Sequence, residues 1–413
     1  MRALGRVPTR LRAPLERALE GARLEVDEAL PLMEARGDAL EALLETADAL
    51  RARQAGERIT YVVNRNINFT NVCLKSCSFC AYARGHRSEQ GYWLDAEEIE
   101  RRAEEAATLG ATEICVQAGL APGMRAETYL EVVRAVRRGA PDAHIHAFSP
   151  EEIRHGAALG RMPEEAFLRA LMAEGLGSLP GTAAEILDDA IRRRISPTRI
   201  DTASWIRVVE TAHRLGLPTT ATILIGHVES ARDRLAHLAL LRSIQEQSGG
   251  FTELVPLSFV HERTPLHARQ GIVGPSLRSV LRLHAVARLM LGEAIPNLQA
   301  SWVKEGPEAC IQLLRAGAND LGGTLINESI STMAGAGHGE RLGPAALRAL
   351  ARRAGRSPAE RGTRYELLAR FPLEGGADPP HPLDQVLDPE ARFGSYEALA
   401  SDPRLRWRAP ASS

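Results

Sequence analysis

The chain has 413 residues, 44% of them hydrophobic and 25% charged, with a formal net charge of −1. That balance suits a globular protein with a large core, and no Lys/Arg run interleaved with aromatics is present to attract nucleic acid. No apolar run approaches the roughly 18 residues of a membrane span, and five cysteines with three clustered favour reduced thiols in a cytoplasmic protein over a disulfide framework.

The Arg-rich start, Met1 to Arg12, lacks serine and is followed by Glu16 and Glu20, so it reads as the beginning of a surface helix rather than a transit peptide. From about Leu15 to Arg53 apolar residues recur at helical spacing, which predicts a helical extension over residues 1–58. A regular alternation follows. Strands are predicted at Asn66–Thr70, Glu113–Gln117, His144–Ala147, Gly177–Leu179, Thr220–Ile225, Glu253–Leu257, Asn297–Gln299 and, weakly, Asn319–Leu321. Between them, helical patterns cover Asp95–Leu109, Ala126–Arg138, Pro163–Ala173, Ala203–Leu215, Ser230–Gln247 and Ser276–Leu291. Strands alternating with helices of that length indicate βαβ units, and eight such units over residues 59–356 predict an α/β fold of the (β/α)8 TIM-barrel type. A doubly wound open sheet is the rival, weakened by the lack of G-x-G-x-x-G after the first strand. From residue 357 to 413 the composition shifts toward Pro, Arg and Ser, which predicts a peripheral, partly disordered tail.

The chemistry concentrates just after the first strand, in Cys73-Leu-Lys-Ser-Cys77-Ser-Phe-Cys80. Three thiolates on a tight loop can hold three corners of a cubane iron–sulfur cluster and leave one iron open. The alternative is a zinc site completed by His86, since zinc takes four N/S ligands. Cys115 and Cys310 lie in apolar stretches and read as core. In a parallel barrel the C-terminal strand ends face the active site. There the sequence offers Gln117-Ala118-Gly119, His146, Ser178, Glu185, Gly226-His227, His261, Ser301 and Asn319.

The spacing C-x3-C-x-Phe-C after a first strand resembles that of the radical S-adenosylmethionine (SAM) enzymes. Asn64-Arg-Asn-Ile-Asn-Phe-Thr-Asn-Val-Cys73 is similar to the subgroup that includes FO synthase subunit 2 and the menaquinone-pathway cyclases. His146-Ala-Phe-Ser-Pro150, Pro180 through Leu187, Gly250-Phe-Thr-Glu253, Ser301-Trp-Val-Lys304 and Gly317 through Leu325 resemble FO synthase subunit 2 itself. The resemblance runs from about Ile59 to Tyr365.

It implies one 4Fe–4S cluster held by Cys73, Cys77 and Cys80, with the fourth iron chelated by SAM. It places Phe79 by the adenine, Gln117 and Gly119 at the methionine end, Ser178 and Glu185 at ribose or carboxylate, and Gly226 in the strand-five motif. His227, His146, His261, Ser301 and Asn319 are then expected at the substrates. These would be L-tyrosine, cleaved between Cα and Cβ, and 5-amino-6-(D-ribitylamino)uracil, which receives the 4-hydroxybenzyl group on the way to coenzyme Fo. A ferredoxin or flavodoxin would supply electrons, and FO synthase subunit 1 would be the pathway partner. Because a single C-x3-C-x2-C occurs, this chain is expected to be the separate tyrosine-cleaving half of an activity that some organisms fuse. Ala118, Ile225 and Ser258 depart from the family pattern, and a cyclase of the futalosine menaquinone route is the alternative.

Overall fold

Why the barrel closes is visible in its first strands. The β-branched and aromatic run Ile59-Thr60-Tyr61-Val62-Val63 is almost wholly buried, as a strand covered on both faces must be. In the computed structural model, which describes residues 3–374 and 378–408, this run is β1 (Arg58–Val62), continued by β2 (Asn64–Ile67). The remaining strands are β3 (Glu113–Val116), β4 (His144–Ala147), β5 (Leu176–Ser178), β6 (Thr219–Ile225), β7 (Phe251–Ser258), β8 (Asp320–Gly323), β9 (Ser357–Arg361) and β10 (Leu367–Arg370). β2 pairs in parallel with β3, β3 with β4, β4 with β5, and β6 with β7. Single parallel bridges complete the ring: Leu179 to Thr219, Leu254 to Leu298, Gln299 to Asp320, and Ile326 back to Arg65. The result is a (β/α)8 barrel whose seventh position, around Leu298 and Gln299, is held by bridges alone.

The helices that wrap it fall where the 3.6-residue period puts them: Ala96–Thr108, Ala126–Gly139, Glu164–Ala173, Thr202–Arg214, Ala231–Ser248 and Leu277–Leu291. Their starts are fixed by side-chain caps, since Asp95, Asp201, Ser230 and Ser276 each accept from a backbone N–H three residues on. The N-terminal residues fold as helices at Thr9–Leu19 and Asp38–Ala55. They lie against the barrel's outer helices: Arg242 donates to Leu24 O and Met290 O (both 3.0 Å), and Arg282 to Ala35 O (2.8 Å).

Three expectations are corrected. The first strand begins at Arg58, not Asn66, and residues 68–70 have already left the ladder. Asn319 does not close strand eight but precedes β8, at the N-terminal end of the barrel. Its Oδ1 accepts from Leu298 N (2.8 Å) and its Nδ2 donates to Asn297 Oδ1 (3.0 Å), so it fastens backbone. Nor is everything from residue 357 onward peripheral. β9 pairs in parallel with β1, and β10 pairs antiparallel with β9. The expected disorder of the tail concerns in part residues 375–377 and 409–413, which lie outside the described residues.

β9 brings Arg361 beneath the barrel, where the guanidinium donates to both carboxylate oxygens of Asp320 (2.6 and 3.0 Å) and stacks over Tyr365 at 4.0 Å. Tyr365 donates to Glu253 (2.7 Å), Thr363 to Glu113 (2.7 Å) and Asn64 to Glu113 (2.8 Å). This buried ionic floor closes the N-terminal end of the lumen.

Candidate active site

The loop between β2 and the first barrel helix carries the three clustered cysteines at the C-terminal end of the barrel. Backbone hydrogen bonds tie it down on several sides. Cys73 N donates to Arg84 O (3.0 Å), Leu74 N to Leu120 O (2.8 Å) and Ser78 N to Ile195 O (2.7 Å), while Ser78 O accepts from Leu266 N (2.7 Å). The tail buttresses the outer side. Tyr396 accepts from Asn71 Nδ2 (2.9 Å), Trp93 N donates to Leu405 O and Trp407 N to Gly91 O (both 2.8 Å).

The inner side of the loop faces a cavity of about 1300 Å³, counted out to its mouth. Cys73, Cys77, Cys80, Phe79, Gln117, Gly119, Glu185 and Arg199 all line it. Burial pushes the Cys77 thiol up to about 12, and the Arg199 guanidinium opposes that shift. Burial works against the Arg199 charge too, but Glu185, Cys77 and Glu151 outweigh it and keep the group protonated. Arg199 donates to Glu185 Oε1 (3.0 Å). Glu185 Oε2 is buried with no hydrogen-bond partner. Glu152 also lines the cavity, raised to about 7 by burial despite hydrogen bonds from Ser149 and Ala118.

Below it, through the shared residues Gln117, Thr182, Thr222, Leu257, Lys304 and Ile330, a second chamber, about 1100 Å³ counted out into open solvent, reaches down the barrel to the ionic floor. Its walls include Asn66, Asn68, His146, Ser301, Glu328 and Arg361.

The structure thus brings together Cys73, Cys77, Cys80, Phe79, Gln117, Gly119 and Glu185 above, with His146 and Ser301 below. It does not bring in the others. Ser178 lines neither chamber; its hydroxyl sits 2.7 Å from both His144 Nε2 and His146 Nδ1. Gly226, at φ +88°, turns the chain against Pro275, and its N–H donates to Glu229 (2.6 Å). His227 is buried behind β6, between Leu224 O (3.0 Å) and Val228 N (2.7 Å). His261 accepts from Gly274 N (3.2 Å) and packs edge-on against His267. His227 shows how an imidazole at a strand end braces the chain by bonding two backbone groups at once. His86, the fourth ligand of the zinc alternative, is exposed and outside the cavity lining.

Sequence reasoning missed Arg199, Lys304, Glu328 and Arg361. Arg199 and Arg361 sit outside the strand-end residues, and Lys304 was visible within the motif Ser301-Trp-Val-Lys304 but assigned no role.

Two residues position this site from behind. A Cβ on Gly119 would stand 2.2 Å from Val72 O, so Gly119→Ala should displace the cysteine loop. Anaerobically reconstituted variant is expected to hold less than half the wild-type iron; unchanged iron content would count against this packing. His237 accepts from Leu187 N (3.0 Å) and donates to Thr222 O (2.9 Å), anchoring the segment that carries Glu185. Burial lowers His237 to about 4. Between pH 6.5 and 4 the unfolded chain therefore takes up a proton that the folded chain refuses, and stability falls as pH drops through that window. Comparing denaturation midpoints with His237→Gln should show the wild type losing more stability on acidification, by up to one proton's linkage.

Residues 67–241 match the family model of the radical SAM superfamily, and residues 248–372 that of the CofH/MqnC C-terminal region. The 5-amino-6-(D-ribitylamino)uracil–L-tyrosine 4-hydroxyphenyl transferase of Methanothermobacter thermautotrophicus is 45% identical over 361 residues, 87% of this chain and 98% of that protein. The chain belongs to the radical SAM superfamily, in the family of that transferase. This radical SAM chain is also 45% identical to the same-named protein of Gloeobacter violaceus, over 89% of its own length and 97% of the relative's. FO synthase of Mycobacterium leprae is 46% identical, over 83% of this chain and 40% of that longer protein. Among solved structures, the FeFe-hydrogenase maturase HydG of Carboxydothermus hydrogenoformans superposes with a TM-score of 0.66 at 16% identity, over 86% of this chain and 80% of that one. Methylornithine synthase superposes at 0.61 and 20% identity, over 80% and 88%. Both bear on the fold alone. Membership brings a 4Fe–4S cluster and SAM to this enzyme. Among the described residues no helix is long and apolar enough to cross a membrane.

Proposed function

We propose that this radical SAM enzyme cleaves L-tyrosine and transfers its 4-hydroxybenzyl group to 5-amino-6-(D-ribitylamino)uracil, releasing 2-iminoacetate, in the biosynthesis of coenzyme Fo. The observation that carries the reading is 45% identity along 98% of a transferase with that activity in its name. A menaquinone-route cyclase is not favoured, because the relatives at this identity are such transferases and FO synthases.

Cys73, Cys77 and Cys80 would hold the cluster, and Phe79, Gln117, Gly119 and Glu185 would hold SAM. The residues fit these groups. Three thiols share one cavity wall beside the Arg199 cation, which offsets part of their charge once ionised. Glu185 Oε2, 3.6 Å from the Arg192 guanidinium but without a hydrogen bond, offers a buried acceptor in the same cavity, where a hydroxyl or ammonium would satisfy it. Bound there, cluster and SAM supply a 5′-deoxyadenosyl radical, which abstracts hydrogen atoms. The chain's own contribution is enclosure and orientation. Phe79, Leu257, Phe259, Val260 and Ile330 give the upper cavity an apolar lining that keeps water from reactive carbon. Below, His146 is kept neutral chiefly by burial, and with Ser301 and Thr182 it supplies the mixed donors and acceptors a ribityl chain needs.

A ferredoxin or flavodoxin would deliver electrons at the cluster loop in the cytoplasm, and FO synthase subunit 1 would consume the product. Anaerobic incubation with SAM, dithionite, tyrosine and the ribitylaminouracil, followed by mass spectrometry, tests the reading. Benzylated uracil with deoxyadenosine is the expected pair; deoxyadenosine with no benzylated uracil would refute it.

A further inference from the structure

Lys304 is a charged side chain in a place where charge is costly. It sits in the short helix Trp302–Glu305, after the seventh strand position, and lines both chambers at their junction. The helix is pinned by the indole of buried Trp302, which donates to Gly323 O (2.9 Å). The Lys304 ammonium makes no hydrogen bond and no close ion pair with a described residue; Glu328, Glu305 and the Cys80 thiol are the groups that face it. Lys304 is half-buried on the cavity wall, and an ammonium with no firm protein partner there is open to an anionic ligand group.

The same chamber holds unmet acceptors. Asn66 Oδ1 and Asn68 Oδ1 are buried without partners. The Asn68 amide is oriented, because its Nδ2 donates to Gln117 O (2.8 Å) and leaves the oxygen free. Glu328, buried and hydrogen-bonded by Ser331 and by the backbone of Ile330, adds a carboxylate on that wall. One cation and several acceptors left open in one chamber match a zwitterion, whose carboxylate needs a donor and whose ammonium needs acceptors.

We infer that Lys304 binds the α-carboxylate of the amino-acid substrate, with Glu328 and Asn68 taking its ammonium. This rests on tyrosine being that substrate, as proposed above. SAM carries the same amino-acid head, so the test must separate the two.

Lys304→Met, Lys304→Arg and wild type, all carrying cluster, are compared by calorimetric binding of tyrosine in the presence of SAM, by KM for tyrosine and for SAM, and by binding of tyramine, which lacks the carboxylate. Loss of one charge-assisted hydrogen bond should weaken tyrosine by ~10–100-fold in Lys304→Met, with partial recovery in Lys304→Arg. Tyramine affinity, SAM KM and iron content should stay within a factor of about two. Equal tyrosine affinity in wild type and Lys304→Met overturns the anchor alone, as does a matching loss for tyramine or for SAM. If wild type binds no tyrosine, the proposed substrate falls and the anchor with it.

Discussion

Cys77→Ala is expected to abolish SAM cleavage and to strip the protein of most of its iron. Three soft thiolates are the minimum clamp on a cubane that must keep one corner open, and among the described residues no further cysteine lines the upper cavity. Cys115, which points into the lower chamber, and Cys310, buried near Ala300 O, lie away from the loop. His86 is outside the cavity. Iron analysis and deoxyadenosine formation under anaerobic conditions read the result. Full turnover by the variant would remove the cluster assignment, whereas loss of activity with iron retained would shift Cys77 from ligand to neighbour.

The second large effect lies at the opposite end of the barrel and concerns stability. Asp320→Ala removes the carboxylate that both Arg361 and Thr60 engage, at 2.6 to 3.0 Å for the arginine. Asp320 is 0% exposed and Arg361 2% exposed, so the guanidinium is left as an uncompensated buried charge, which costs ~3–5 kcal/mol. Glu253, whose Oε2 already lies 3.8 Å from Arg361, compensates only weakly, because burial raises it to about 7 and Tyr365 and Gln299 both donate to that same oxygen. Urea denaturation of the apoprotein should show the loss. A change below about 1 kcal/mol would mean that the floor contributes little. Replacing Asp320 and Arg361 together with apolar residues of similar volume should recover much of the difference.

How much of this could be read from sequence varied with the physical signal. The cysteine loop was legible because metal chemistry needs a fixed residue type at a fixed spacing. The outer helices were legible because amphipathic periodicity repeats over ten residues or more, and strand β4 was placed to the residue. Short buried strands carry less information. β1 gives no period-2 signal because Ile59 to Val63 is buried on both faces, and β9 gives none because Ser357-Pro-Ala-Glu-Arg361 looks like a polar loop until Arg361 finds its buried partner. The strand-end histidines show the converse error. His227 and His261 are where catalytic groups would be, yet His227 bonds backbone through both ring nitrogens and His261 through Nδ1. Lys304 and Glu328, by contrast, line one chamber from segments 24 residues apart, and nothing in local composition announces that they share it.

The sealed base has a consequence for the order of events. A chamber with paired charges beneath it, Arg361 with Asp320 and Glu253, offers a ligand an uncharged approach only from the cysteine side. With SAM held at the cysteine loop as proposed, a reactant resting deepest would have to arrive before it, and what is made below would leave only after it.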